Sequence, residues 1–364
     1  MGRRTPPASR SDELAGRLDS LYGAGGYKKP EILQGALKLD SNENYAIPRQ
    51  FQSDIITAAR RNTDVREYPL GGTERLVAAL SKAVGMPPAM IAVGSGSDQI
   101  LDMLLCHLAD RKTRILTSDP TFGFFEDRCR LYSIPLIRVP FSDGMKLDAS
   151  TFLDHADRAD IIYLDSPNNP TGFQFTRPDM QKIIRGFDGL IIIDEAYGEF
   201  GNYTVAGMTR RHKNLAVVRT MSKSFGMAGL RLGYMIASRR ITEAFTSVMQ
   251  YPYPLSTITI ESGIEALART DRVREAADTI RSERARIISA LRAHNAFEVF
   301  DSAANFVLFD ARGAYRRVHS ALAEQGISIR RLGPVGRYRG CLRVTVGTHD
   351  MNSRFLLAIR DLLG

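Results

Sequence analysis

Seven short apolar runs recur through the first two thirds of the sequence, and they limit the possible folds more than any other feature. They are Ile91 to Val93, Arg114 to Thr117, Leu136 to Val139, Ile161 to Leu164, Leu190 to Ile193, Ala216 to Arg219 and Gly233 to Ile236. Each is short and ends at charged or turn-forming residues, which reads as a buried strand. Helical or irregular segments separate most of them. That alternation predicts an α/β fold whose large domain is built on a mostly parallel central sheet.

Other segments fill out the plan. Ser11 to about Tyr27 predicts an amphipathic arm behind a basic tail, and Asp54 to Val84 predicts helix, turn, helix, interrupted at Tyr68-Pro69-Leu70-Gly71-Gly72. Tyr251-Pro252-Tyr253-Pro254 should break a helix and mark a boundary. Beyond it, a long charged helix from Asp271 to His294 and strands at Phe297 to Phe300, Phe306 to Phe309, Ile327 to Arg330 and Cys341 to Thr345 predict a smaller α+β domain. The expected division is therefore an N-terminal tail and arm (1–40), a large domain (41–255) and a small C-terminal domain (256–364). A chain of 364 residues is long enough for two such units.

Composition narrows the function. The net charge of +9 comes from lysines and arginines scattered through helical segments, without a zinc-finger or RNA-binding signature, so small anions account for it as well as nucleic acid does. Cys106, Cys129 and Cys341 are too widely spaced for a metal or disulfide framework and are expected to be structural. No metal, nucleic-acid or membrane partner is expected. No apolar run approaches the length of a membrane span, and the start lacks the apolar segment of a secretory signal, so a cytoplasmic setting is expected.

Four segments carry candidate chemistry. Gly94-Ser95-Gly96-Ser97-Asp98-Gln99 links a strand to a helix. Free amides at such a helix start form an anion site, although the same letters make an ordinary capped turn. Ser166-Pro167-Asn168-Asn169-Pro170-Thr171-Gly172 follows a strand and places two amides at the edge where α/β sheets bind ligands, or forms a plain surface turn. Asp194, after four apolar residues, is either a carboxylate that needs a positive partner or a structural ion-pair residue. In Thr220-Met221-Ser222-Lys223-Ser224-Phe225-Gly226, Lys223 lies just past a strand and could be an aldehyde-binding nucleophile, with Ser222 and Arg231 completing an anion pocket.

Taken in order with Ser41-Asn42-Glu43-Asn44, Tyr68-Pro69, Pro120-Thr121-Phe122, Asp194-Glu195-Ala196-Tyr197 and Leu342-Arg343-Val344-Thr345, these motifs span almost the whole chain. The pattern resembles the fold type I pyridoxal-5'-phosphate (PLP) enzymes of the class I/II aminotransferase family, and within it the histidinol-phosphate aminotransferase branch. The resemblance implies that Lys223 attaches the cofactor and shuttles the proton. It implies that Asp194 pairs with the pyridinium nitrogen, that Asn169 and Tyr197 contact the ring oxygen, and that Phe122 stacks on the ring. Ser97, Asp98, Ser222 and Arg231 would hold the phosphate.

The resemblance further implies that Tyr68 reaches the cofactor phosphate of a neighbouring subunit, and so a homodimer with shared active sites. Arg343 and Arg330, thirteen residues before it, would receive the anionic end of a small amine substrate, with Arg331 a competitor for the second place. Asn42 and Tyr45 lie where the branch closes over substrate, and Tyr45 stands where the branch has proline. The implied reaction is histidinol-phosphate:2-oxoglutarate amino transfer. The alternatives are an aminotransferase for aromatic or other biosynthetic amino acids, a PLP-dependent amino acid phosphate decarboxylase of the same fold, and a PLP-responsive transcription regulator. The last would need an added DNA-binding domain, for which no room is expected before Ser41.

Overall fold

A computed structural model describes residues 10–24 and 34–363. The basic tail and the end of the expected arm lie outside the described residues. The N-terminal part holds α1 (Arg10–Ala24), β1 (Leu37–Leu39), α2 (Arg49–Arg60) and α3 (Gly72–Val84). The alternating region follows as β2 (Ile91–Ser95), α4 (Gly96–Leu108), β3 (Ile115–Asp119), α5 (Gly123–Leu131), β4 (Leu136–Pro140), α6 (Ala149–Leu153), β5 (Ile161–Asp165), α7 (Arg177–Arg185), β6 (Leu190–Asp194), β7 (Leu215–Thr220) and β8 (Leu232–Ala237). The remainder is α8 (Arg239–Ala244), α9 (Thr257–Leu267), α10 (Thr270–Arg292), β9 (Glu298–Val299), β10 (Phe306–Asp310), α11 (Tyr315–Glu324), β11 (Ile327–Val335), β12 (Tyr338–Thr345) and α12 (His349–Leu363).

The seven expected strands form one sheet in the order β2-β8-β7-β6-β5-β3-β4, in which only β8 runs against the rest. Their continuous apolar sequence has a simple cause. Alternate residues face opposite sides, and both sides are covered. Ile191, Ile193, Leu215 and Val217 join one core, while Ile192, Ala216 and Val218 join the core on the other face. With this burial on both faces, the strands cannot show the polar alternation of a half-exposed sheet. Among the described residues no helix is long and apolar enough to cross a membrane.

A second sheet, ordered β1-β11-β12-β10-β9, forms the smaller unit with α10, α11 and α12 around it. Here β1 pairs in parallel with β11 through Leu37 and Ile327, so an N-terminal strand completes the small sheet. Past the Pro-rich segment, Ile260, Ala266, Val273 and Ala276 pack with the large-sheet core, and from Ala277 onward α10 packs with the small-sheet core, which also takes in Leu39, Tyr197 and Phe200. The Pro-rich segment ends one helix, but α9 returns to cover α2 and α3, and α10 then bridges both cores.

Candidate active site

The carboxyl ends of the parallel strands carry the polar residues that open the site. Asp165 ends β5, Asp194 ends β6 and Thr220 ends β7. Together with the turn after β1, the start of α4 and one face of β11 and β12, they line a cleft of about 220 Å³. Of the residues singled out in the sequence, Asn42, Ser97, Asp98, Phe122, Asn169, Asp194, Tyr197, Ser222, Lys223, Arg231, Arg330 and Arg343 all line it.

Asp194 is buried, its backbone fixed by the sheet, and its Oδ1 accepts the Ala196 N–H at 2.9 Å. Tyr163 donates to its other oxygen at 3.3 Å. Burial, and then the charge of Asp165 beside it, push the Asp194 carboxyl up to about 7. Such a group takes up a cation or a proton readily. Tyr197 stands over the same floor, and its hydroxyl accepts a hydrogen bond from Asn42 Nδ2 at 2.9 Å. Asn42 is itself held by Thr345 and Asn305 of the small unit, so its amide orients Tyr197 and ties the two units together.

At the opposite end, α4 begins at Gly96 with Ser97 and Asp98 in its first turn and no side chain capping its amides. Arg231 reaches this point from a left-handed backbone conformation (φ 52°), donating to Asp98 at 2.8 Å and to Ser222 Oγ at 3.3 Å. The cradle is tight. A Cβ on Gly96 would sit 2.5 Å from the Arg231 guanidinium, and one on Gly233 would sit 2.3 Å from the Ser97 nitrogen. Free helix-start amides, a hydroxyl and a guanidinium together form a site for a phosphate.

Between these ends, Lys223 Nζ donates to the Ser41 carbonyl at 3.1 Å and lies 5.8 Å from the centre of the Tyr197 ring. Arg343 is buried against the Phe306 ring at 5.1 Å. It donates to the Asp40 carbonyl at 3.1 Å and to the Asn169 side chain, so Asn169 reaches the small unit as well as the cleft. Arg330 pairs in register with Arg343 across β11 and β12 and lines the cleft, while Arg331 is exposed.

Two residues are placed elsewhere. Tyr45 does not line the cleft; it borders a neighbouring hollow that shares Ser222 and Ala228 with it. Tyr68 is 72% exposed and stacks on Tyr253 at 4.5 Å, away from the cleft of its own chain. Sequence reading missed Asp165, Phe124 and Thr220, all of which line the cleft. For Asp165 and Thr220 the position just past an apolar run was the available signal, whereas Phe124 lies in the first turn of α5 and carries no such mark.

The donor set fits PLP. Ser97, Asp98, Ser222 and Arg231 suit its phosphate, Asp194 suits a protonated ring nitrogen, Phe122 offers an aromatic face, and Lys223 offers an amine for its aldehyde. No group of residues suited to a metal ion occurs among the described residues.

Comparison with known proteins agrees with this chemistry. The chain is 32% identical over 336 residues to histidinol-phosphate aminotransferase of Desulfitobacterium hafniense strain DCB-2, covering 90% of this chain and 92% of the relative. It is 30% identical over 343 residues to that of Caldanaerobacter subterraneus subsp. tengcongensis, covering 93% and 97%. The crystal structure of histidinol-phosphate aminotransferase from Sinorhizobium meliloti in complex with pyridoxal-5'-phosphate matches at TM-score 0.79 and 25% identity, over 89% of this chain and 91% of that one. L-threonine-O-3-phosphate decarboxylase from Porphyromonas gingivalis shares the fold at TM-score 0.77 and 20% identity, over 89% and 98%. Residues 35–359 match the family Aminotransferase class I and II, and this chain belongs to that family of fold type I PLP enzymes.

Proposed function

We propose that this protein is a PLP-dependent aminotransferase that takes the amino group of histidinol phosphate and passes it to 2-oxoglutarate. The observation that carries the substrate choice is the pair of arginines, Arg330 and Arg343, facing each other in register on the wall of the cleft that holds Lys223 and Asp194. Two planar guanidinium groups on neighbouring strands can both reach one anion, and a doubly charged phosphate uses both forks better than an apolar side chain does. The naming of the Desulfitobacterium and Caldanaerobacter relatives supports the same reading.

PLP, when bound, supplies an aldehyde that captures the amine and a ring that accepts the electrons released at Cα. The protein's residues do the rest. Lys223 would hold the cofactor through Nζ and, with that place given to the substrate amine, would be the base set to accept the proton from the substrate Cα. Asp194 would hold a proton at the ring nitrogen. The amides of Ser97 and Asp98, with Ser222 and Arg231, anchor the phosphate so that Lys223 and the Cα proton meet in a fixed geometry.

A panel of amines offered to the PLP form, with half-reaction absorbance recorded for each, tests the choice. Histidinol phosphate is expected to react best, and Arg330→Ala should lower its kcat/KM by at least about tenfold, or about 1.4 kcal/mol, with the PLP spectrum and turnover of a small nonphosphorylated amine retained. Equal losses on both amines, or no reaction of the wild type with histidinol phosphate, would reject the substrate while leaving the family standing.

A further inference from the structure

The ends of β5 and β6 each carry a buried aspartate, and the two stand side by side in register, Asp165 next to Asp194. Asp194 has its part at the ring nitrogen. Asp165 lines the same cleft and has none. Two carboxylates withdrawn from water at adjoining strand ends oppose folding, since each disfavours the charge on the other.

The hydrogen bonds of Asp165 show what form it suits. Oδ1 accepts from Thr121 Oγ1 at 3.1 Å and from Asn168 Nδ2 at 2.8 Å, and Oδ2 accepts from the Asn169 N–H at 2.7 Å. Three donors converge on it, an arrangement for an ionised carboxylate. Burial, the largest influence, pushes the carboxyl up to about 7 despite the donors. The hydrogen bonds that hold the two aspartates come from hydroxyl, side-chain amide and backbone N–H donors. The ionisable groups around the pair are Asp98 from α4, Tyr163 from β5 and Tyr197 after β6, with Arg343 from β12 and Lys223 on the cleft wall. The two tyrosines and Asp98 supply no positive charge. A cation bound against Asp194 would relieve the pair.

We propose that Asp165 is a positioning residue of the cofactor site: it places a second negative charge behind Asp194, so that the two carboxylates together keep the PLP ring nitrogen protonated. Its hydrogen bonds also join the turn that carries Phe122 to the turn that carries Asn169. The inference rests on the PLP reading above. The physical cause is the field of a second anion in a dry site, which favours the cationic form of any group beside Asp194.

The test uses the full chain loaded with PLP labelled with nitrogen-15 in the ring. The ring-nitrogen chemical shift is followed against pH, and the Kd for PLP is measured alongside. In Asp165→Asn and Asp165→Thr the midpoint for loss of the ring proton is expected to fall by about one pH unit or more, a tenfold loss of proton affinity. The Kd for PLP should rise about tenfold. Threonine, which can accept from the converging donors, carries the test if the asparagine variant does not fold. Thr121→Val removes one hydrogen bond but keeps the carboxylate, and should retain the wild-type midpoint. Aspartate variants that hold the ring proton like the wild type would overturn the inference. So would a Thr121→Val midpoint shifted as far as theirs, since the effect would then come from turn geometry and not charge. In both cases PLP still binds the wild type, and the cofactor reading stands. A wild type that binds no PLP would remove that reading and this inference with it.

Discussion

Arg343 joins the two units on the wall of the cleft: one guanidinium nitrogen meets Asn169 of the large unit, another meets the Asp40 carbonyl, and the group lies over the Phe306 ring. A lysine has the charge but not the planar fork, so it cannot serve both partners and a substrate anion. Arg343→Lys is therefore expected to raise KM for the keto acid by about tenfold or more while the PLP spectrum persists. An unchanged KM would separate Arg343 from substrate binding. At this scale the sequence is legible where residue type and spacing mark a position, as at Lys223 and Asp194, which both line the cleft. It is opaque where only packing decides the role. Asp165 stands before Ser166-Pro167 and reads as part of a turn, and only the register of β5 against β6 brings it to Asp194. Arg330 and Arg331 are equivalent as letters, and the alternation of side chains along β11, with Arg330 beside Arg343, puts the first on the cleft face.

The strands run further toward the site than their apolar runs indicate. The runs end at Leu164, Ile193 and Arg219, while the strands end at Asp165, Asp194 and Thr220. Hydrophobicity marks where a strand is buried among side chains, but the backbone ladder continues to the polar residue that faces the cleft. β1 was missed for a related reason: three residues are too few to show a pattern, and their partner in β11 lies far along the chain. The close approach of β8 to the start of α4 gives a direct test. Gly233→Ala would drive a methyl into the Ser97 nitrogen, and is expected to cost about 1–3 kcal/mol and to weaken PLP binding. Denaturant midpoints with and without PLP measure both.

A second element-level test concerns α10 and α12. Burial pushes Glu283 up, but hydrogen bonds from Arg286, Asn352 and His349 outweigh it and hold the carboxyl down at about 2. Its stabilising effect is therefore complete above its usual value of 4.5 and disappears as pH falls from there toward about 2. Glu283→Gln should lower Tm at pH 7, with the gap to the wild type closing through that acid range. A gap independent of pH would assign the loss to packing.

For the whole molecule, the large sheet and its two cores follow from the apolar runs, whereas the handover inside α10 does not, because one continuous charged helix carries no mark of the core it leaves. Tyr68, Leu70, Val248, Tyr251 and Tyr253 are large apolar or aromatic side chains left exposed on the single chain. A homodimer is expected to cover them and to bring Tyr68 to the partner's cofactor phosphate. Sedimentation at working concentration should give twice the chain mass of 40.4 kDa, and a fully active monomer would contradict the shared site. The most direct measurement is borohydride reduction of the PLP-loaded protein followed by peptide mass analysis. The expected result is one pyridoxyl group per chain, on Lys223; a label on another lysine, or none, would contradict the cofactor assignment on which the chemistry rests.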